Sequence, residues 1–239
     1  MTAANAAPAE LPPYFLPRPP LAPDAEAAGA FDALFDSACR DGGEIAYTLP
    51  WPRWQFICHI ADTREVILHG SQNLEITTFE PRKSSDAHPF GDRKAVFGAS
   101  DGLWPIYYAI LDRATHPMSL CNAAFRLGHA DGSLGTPHYS FSISRKALAA
   151  RPYAPGAVYF LPRTTFEPMP PVEVNGNAVH VAQWASLEPT EPLARIRVGP
   201  EDFPFLDEIR GHDDDTLFAR AKADPDGFPW LDQMAGDPR

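Results

Sequence analysis

His69, Gly70 and Ser71 are the residues whose types and order best suit a ligand-binding turn. They follow the short apolar run 66–68 and precede polar sequence that reverses the chain. Glycine lets a ligand approach the main chain, so that its N–H and C=O can form paired hydrogen bonds with a planar amide. A serine hydroxyl adds a third bond, and a neutral imidazole can bond a ribose hydroxyl. By itself the tripeptide is more typical of a strand-ending turn with a surface histidine, so its context decides between the two.

Tyr107 and Tyr108 are the second pair of candidates. They lie on a predicted helix, where neighbouring side chains point about 100° apart, so only one of them can face a cleft. An aromatic face stacked on a flat ring contributes roughly 1 kcal/mol beyond the area that it buries. Taken alone, both tyrosines are also typical of ordinary core or rim aromatics.

In combination these residues resemble the NAD site of the ADP-ribosyltransferases of the diphtheria-toxin and poly(ADP-ribose) polymerase type. In that family a His-Gly-Ser/Thr ends one strand, and a strand of the kind Gly-Ile-Tyr-Phe-Ala-Asp follows. Here residues 69–71 match the first element and residues 95–100 match the second, with Phe97 in the aromatic place. The family's next helix carries a tyrosine that stacks on nicotinamide, and Tyr108 lies eleven residues after Phe97, the spacing of polymerase-type members. The resemblance covers about residues 64–112.

The resemblance also implies a role for each matched residue. His69 would hold the adenosine ribose, Gly70 and Ser71 the carboxamide, and Tyr108 the face of the nicotinamide. Phe97 and Tyr107 would also contact NAD.

Gln183 marks the point where the chain departs from the family pattern. The family has a carboxylate on a late strand, which stabilises the oxocarbenium-like transition state as nicotinamide leaves. By strand order Gln183 takes that place, and with His69 and Tyr108 it completes the candidate catalytic set. A neutral amide can accept a hydrogen bond but lacks the negative charge. Four alternatives stay open. The enzyme transfers slowly, or the acid comes from Glu173, Glu188 or Glu191 instead. Otherwise the pocket binds NAD without chemistry, or residue 183 is a plain strand residue.

We therefore expect an NAD-dependent ADP-ribosyltransferase that takes NAD as its substrate and passes one ADP-ribose unit to an acceptor that the sequence does not name. The alternative is a non-catalytic NAD- or nucleotide-binding module of the same fold. A nucleic-acid-processing member that removes a terminal phosphate ranks last. It would need clustered arginines, whereas Arg82, Arg93 and Arg126 are scattered.

Hydrophobic periodicity predicts the elements that position these residues. Helices are predicted at 25–40, at 52–60 and from Leu103, the last capped by Asp101. Strands are predicted at 65–69, 95–98, 138–144, 157–161, 179–186 and 193–198. Few helices lie between the strands, so we expect an α+β class, an ADP-ribosyltransferase-like, mostly antiparallel split sheet with a few flanking helices in a single domain.

Composition divides the chain into three regions. Residues 1–24 are rich in alanine and proline and are predicted to be a disordered arm, which Tyr14, Phe15 and Leu16 could still pin to the body. Residues 25–200 are the predicted domain. Residues 201–239 carry eleven acidic and four basic side chains and form an acidic segment docked on it.

Charge and composition also restrict the partners. The net charge of −11 makes nucleic acid an unfavourable partner. No apolar run approaches the ~20 residues of a membrane span, and the N-terminus lacks a signal-peptide pattern, so we expect no membrane partner and a cytoplasmic location. We expect no metal site. The three cysteines lack metal spacing, and neither the pair His129 and His138 nor the acidic turn 211–215 has the pattern of a metal-binding motif.

Overall fold

A computed structural model describes residues 11–21, 23–84, 86, 88–174, 176–225 and 227–230 of the chain. Within these residues it is a mixed α/β protein, in which largely antiparallel sheets dominate and five α-helices are present. This agrees with the predicted mixture of helices and mostly antiparallel strands. In the described part of the chain, no helix is both long enough and apolar enough to cross a membrane.

The first and third helices begin where an aspartate side chain accepts main-chain N–H groups. The Asp24 side chain accepts the N–H of Ala27 at the start of the first helix. Asp101 accepts two main-chain N–H groups at the start of the third, each at 2.9 Å, as predicted. The helices are α1 (Ala25–Arg40), α2 (Arg53–Thr63), α3 (Leu103–Ile110), α4 (Arg145–Ala149) and α5 (Asp214–Ala223).

Fourteen strands are formed by the described residues. In chain order they are β1 (Leu16–Pro17), β2 (Glu44–Ile45), β3 (Val66–Ser71), β4 (Arg82–Lys83), β5 (Lys94–Ala99), β6 (Leu120–Leu127), β7 (His138–Ser144), β8 (Gly156–Pro162), β9 (Phe166–Pro168), β10 (Val172–Val174), β11 (Asn177–Val181), β12 (Gln183–Ser186), β13 (Ala194–Val198) and β14 (Arg210–His212).

These strands form two sheets. The first sheet has the order β1-β7-β6-β11-β10, with β14 beside β7. The second sheet has the order β2-β13-β8-β3-β5-β12-β9, with β4 beside β5. Only the pairs β2–β13 and β7–β14 are parallel among the described pairings. The helices α1, α2 and α3 pack on one face of the second sheet, where Phe31, Phe56, Ile106 and Phe160 join one buried cluster.

The prediction of one strand over residues 179–186 is wrong. β11 pairs with β6 in the first sheet, whereas β12 pairs with β5 in the second. The change of sheet falls at Ala182, which donates to the main-chain oxygen of Ala124 at 2.8 Å and accepts from the N–H of Ser100 at 2.9 Å. The apolar pattern continues through Ala182, so the sequence does not reveal that the partner strand changes there.

In its described part, residues 11–21 with 23 and 24, the N-terminal arm contacts the body through Phe15 and Leu16, two of the residues that the sequence offered for pinning it. β1 pairs with β7, and the Phe15 ring contacts the Phe125 ring with a centroid distance of 5.0 Å. Arg18 forms an ion pair with Asp62 at 2.8 Å. Apolar and charged groups thus anchor the described part of this proline-rich segment. Residues 1–10 and 22 of the predicted arm, and 226 and 231–239 of the predicted acidic segment, lie outside the described residues.

Candidate functional site

A cavity of about 560 Å³ lies beside the end of β3 and the C-terminal half of α3. Its walls include His69, Gly70, Ser71 and Tyr108, together with Arg113. The volume lies within the range of roughly 300–1,000 Å³ that is usual for small-molecule sites. Four of the residues singled out from the sequence therefore share one cavity.

Gly70 allows α3 to lie directly on the strand. A Cβ atom at this position would stand 1.8 Å from the main-chain oxygen of Pro105 and 2.9 Å from the nitrogen of Ala109. No residue with a side chain fits there without moving the helix. This close approach brings Tyr108 to the same cavity as the main chain of Gly70.

The main-chain polar groups of Gly70 turn away from β8. The N–H of Arg163 donates to the oxygen of Glu65 at 3.3 Å, which places residue 65 of this ladder in a hydrogen-bonded pair. Antiparallel pairing alternates, so residues 67, 69 and 71 also face β8, and residues 68 and 70 face β5. The pairing between β3 and β5 consists of the single register pair Leu68–Ala99. We infer that the N–H and C=O of Gly70 lie beyond that pairing and are available to an amide.

His69 is held in one tautomer. Its Nδ1 lies 2.7 Å from the main-chain oxygen of Phe97. A carbonyl oxygen can only accept, so Nδ1 carries the proton and Nε2 is left as an acceptor. Burial lowers the pKa of His69, which favours the neutral ring. The ring of Phe79 packs against it at 4.8 Å between centroids. A neutral acceptor of this kind can bond a hydroxyl group of a ligand.

Ser71 begins a loop with fixed geometry. Its Oγ accepts the N–H of Asn73 at 3.1 Å. The Tyr159 hydroxyl donates to the oxygen of Asn73 at 2.7 Å and accepts the N–H of Ile76 at 3.3 Å. Because the hydroxyl of Ser71 serves as an acceptor in this loop, its own proton can be donated to a ligand carbonyl.

The Tyr108 ring is half-buried and oriented by Asn122. Its hydroxyl donates to Oδ1 of Asn122 at 3.0 Å, and the same oxygen accepts the indole N–H of Trp104 at 2.5 Å. Burial raises the pKa of Tyr108 to about 12, so the phenol is neutral at physiological pH. The structure thus presents a fixed aromatic wall at the cavity.

Three other predicted site residues do not line this cavity. Phe97 contributes its main-chain oxygen to His69. Tyr107 is fully buried in the core, and its hydroxyl donates to the oxygen of Ser142 at 3.1 Å. Gln183 lies opposite Ala99 in the register of β12 and β5.

The sequence did not indicate Arg113, which lines the cavity, or Asn122, which accepts the hydroxyl of Tyr108. Arg113 follows α3 in an irregular turn, and Asn122 lies on β6, a strand without a clear alternating pattern. Neither belongs to a motif, so their roles depend on packing that the sequence does not display. Among the described residues that line the cavity there is no aspartate or glutamate, and no described group of three or more His, Cys, Asp or Glu could hold a metal ion.

Fold and cavity together describe a mixed α/β protein with a cavity of small-molecule size between a strand end and the helix packed on it. The chain matches no family model, no curated protein and no solved structure.

Proposed function

We propose that the protein is an NAD-dependent ADP-ribosyltransferase whose fold is of the ADP-ribosyltransferase type. The observation that supports this most directly is that His69, Gly70, Ser71 and Tyr108 line one cavity. These are the positions at which the sequence resembles the family's NAD site. Tyr108 on α3 lies 37 to 39 residues after the three residues on β3, so only the fold brings it together with them.

Each of these four residues has a contact to make with NAD in this proposal. The N–H and C=O of Gly70 bond the carboxamide, and the hydroxyl of Ser71 donates to the carboxamide oxygen. The ring of Tyr108 stacks on the nicotinamide. Nε2 of His69 accepts a bond from a ribose hydroxyl.

The proposed reaction breaks the bond between the nicotinamide nitrogen and C1′ of the ribose. Nicotinamide leaves with the bonding electron pair, and a nucleophilic group of the acceptor forms the new bond to C1′ and loses its proton. Gly70, Ser71 and Tyr108 position the leaving group. The acceptor remains unnamed.

A non-catalytic NAD-binding module is the second candidate. The observation in its favour is that no described carboxylate lines the cavity, and the position of Gln183 supplies no charge there either. Without a carboxylate, the positive charge that develops on the ribose lacks its strongest stabilisation.

Two measurements on the full chain separate these candidates. Thermal unfolding is followed with and without millimolar NAD, and free nicotinamide is quantified over several hours by chromatography. A ligand that binds only the folded state raises the melting temperature. Stabilisation with nicotinamide release supports the transferase, and stabilisation without release supports the module. If NAD neither stabilises the protein nor loses nicotinamide, both proposals are wrong.

Variants assign any effect to the cavity. Tyr108→Ala removes the aromatic wall and is expected to abolish the NAD-induced shift, whereas Tyr108→Phe keeps the ring and is expected to retain most of it. His129→Ala is the matched histidine control for His69→Ala, because His129 is exposed and lies outside the cavity. An NAD shift that survives Tyr108→Ala and His69→Ala would place the binding site elsewhere.

A further inference from the structure

We propose that Ser119 is the nucleophile of a second site, at which His212 acts as its base and a small neutral ester is hydrolysed. Neither residue lines the cavity between β3 and α3, so this site is separate from the one described above. Ser119 precedes β6 and His212 ends β14, and only the fold brings the two side chains together. The inference is therefore independent of the proposed function.

The Ser119 hydroxyl faces two groups that can accept its proton. Its Oγ lies 2.7 Å from Nε2 of His212 and 2.5 Å from Oδ1 of Asp214. The main-chain N–H of Ser119 donates to Oγ of Ser144 at 2.9 Å, and the Ser144 hydroxyl donates to Oδ1 of Asp214 at 2.7 Å. The hydroxyl of Ser119 is thus held within hydrogen-bond reach of an imidazole nitrogen, which is the geometry of a serine activated by a base.

Ser142 holds the other side of the His212 ring. Its Oγ lies 2.6 Å from Nδ1 of His212 and 3.1 Å from the main-chain oxygen of Arg210. The carbonyl oxygen can only accept, so each of these contacts has a proton when Ser142 donates to Arg210 and the Nδ1–H group donates to Ser142. Nε2 is then without a proton and faces Ser119 as an acceptor. Burial lowers the pKa of His212, which favours this neutral ring at physiological pH.

Asp214 supplies negative charge beside the imidazolium that forms when His212 takes up a proton. Its Oδ1 lies 3.4 Å from Nε2 of His212. Burial opposes ionisation of Asp214, but hydrogen bonds from Ser119 and Ser144 lower its pKa, so it is a carboxylate at neutral pH. A serine, a histidine and a carboxylate in contact can divide the roles of nucleophile, base and charge stabiliser.

The surroundings of Ser119 favour a neutral substrate with an apolar group. Ser119 is half-buried and the Asp214 side chain is half-exposed, whereas His212 is shielded from water. Phe218 follows Asp214 by four residues on α5, so both lie on one face of the helix, and Phe218 is 58% exposed. An apolar acyl group can pack on that ring. The acidic run 213–215 repels an anionic substrate.

The proposed reaction has two steps. Oγ of Ser119 attacks the carbonyl carbon of the ester, and its proton passes to Nε2 of His212. The bond from this carbon to the alcohol oxygen breaks, and the alcohol leaves with that proton, so that the acyl group is bound to Ser119. Water then attacks the acyl carbon and gives a proton to Nε2. His212 returns the proton to Oγ of Ser119 as the carboxylic acid leaves.

The test treats the full wild-type chain, Ser119→Ala, His212→Gln and the control Ser37→Ala with diisopropyl fluorophosphate and locates the label by peptide mass spectrometry. Ser37 is a half-buried serine whose hydroxyl donates to a carboxylate, that of Asp41 at 2.8 Å, rather than to an imidazole. Wild type and Ser37→Ala are expected to be labelled at Ser119, and Ser119→Ala is expected to stay unlabelled. Labelling of His212→Gln is expected to be ~100-fold slower, because a general base contributes at least that much.

Ester turnover is measured in the same four proteins. Release of 4-nitrophenolate from neutral 4-nitrophenyl butanoate is expected to be faster than release from the anionic 4-nitrophenyl hemisuccinate. Ser119→Ala is expected to release no more than the reaction without protein.

The pH dependence of wild-type labelling tests the base without any variant. The labelling rate is expected to fall at pH values below about 6.5, the usual pKa of histidine, because a protonated ring cannot take up the proton of Ser119. The charged groups that act on His212 are Asp213, Asp214 and Arg145. The pKa of both acids is lowered, so neither titrates in this range.

Labelling at Ser119 that slows in His212→Gln, follows this pH dependence and is accompanied by ester turnover supports the proposal. No label, a label at another residue, an equal labelling rate in folded His212→Gln, or labelling without ester turnover overturns it. Equal rates for the two esters would contradict the neutral substrate class. Circular dichroism identifies any variant that does not fold, and the pH dependence of the wild type then decides in its place.

Discussion

His69 donates from Nδ1 to the main-chain oxygen of Phe97 at 2.7 Å, across the point where β3 and β5 cease to pair. The imidazole therefore replaces a main-chain bond between two strands that have separated. This contact fixes the tautomer of His69, and the same separation leaves the main chain of Gly70 available.

Replacing His69 by alanine is expected to lower the free energy of unfolding. The oxygen of Phe97 loses its donor, and an unsatisfied buried acceptor costs about 1–3 kcal/mol. Urea denaturation of His69→Ala measures this loss, with the exposed His129→Ala as the control. Equal stability of His69→Ala and wild type would show that the imidazole bond does not hold the strands.

Gly70→Ala is expected to destabilise the fold through α3. The added methyl group would stand 1.8 Å from the oxygen of Pro105, so the helix must move, and overpacking of this kind costs typically about 1–3 kcal/mol. Gly29→Ala is the matched control, because a Cβ at this α1 position meets nothing within 4 Å. That variant is expected to gain roughly 0.5–1 kcal/mol from helix propensity. Equal effects of the two substitutions would contradict the close contact at Gly70.

Asp101→Asn is expected to weaken the start of α3. The carboxylate accepts two main-chain N–H groups and the Tyr139 hydroxyl, the latter at 2.6 Å. An amide can direct only one oxygen at these donors, so a loss of about 1–3 kcal/mol is expected in urea denaturation. Asp131→Asn in an exposed loop is the control. A loss no larger than that of Asp131→Asn would rule out an important role for the buried carboxylate.

Stability is expected to fall as the pH drops below about 6.5, the usual pKa of histidine. Burial lowers the pKa of both His69 and His212 in the folded protein. The unfolded chain therefore takes up these protons at a higher pH than the folded chain does, which favours unfolding as the pH falls. Each unit of lowering contributes at most ~1.4 kcal/mol.

Urea denaturation at pH 7.5 and pH 5.5 measures this dependence. His212 contacts the hydroxyls of Ser119 and Ser142, and Asp213, Asp214 and Arg145 act on its charge. The pKa of Asp213 and Asp214 is lowered, so neither acid titrates in this range. His212→Gln is expected to reduce the pH dependence. An unchanged dependence in that variant would exclude His212 as a contributor.

Local sequence signals predicted much of the scaffold around the cavity. Apolar periodicity with capping residues located α1, α2 and α3, and short apolar or alternating runs located β3, β5, β7, β8 and β13. These signals act within a few residues of the chain. They therefore place residues 69–71 at the end of a predicted strand and Tyr108 on a predicted helix, and the sheet topology is not needed for this.

The features that escaped prediction depend on long-range packing. β6 lies inside the first sheet and has Ala123, Ala124 and Phe125 buried in succession, so its side chains show no alternation. Arg113 lines the cavity because of how the turn after α3 packs, and no local pattern reports that. The division of residues 179–186 between β11 and β12 depends on neighbours far away in sequence.

That division has a consequence for how the protein comes apart. Ala182 bonds Ala124 of the first sheet with its N–H and Ser100, next to the second sheet, with its oxygen. Loss of either sheet removes the partner of a strand end that belongs to the other. We therefore expect the two sheets to unfold together in one cooperative transition.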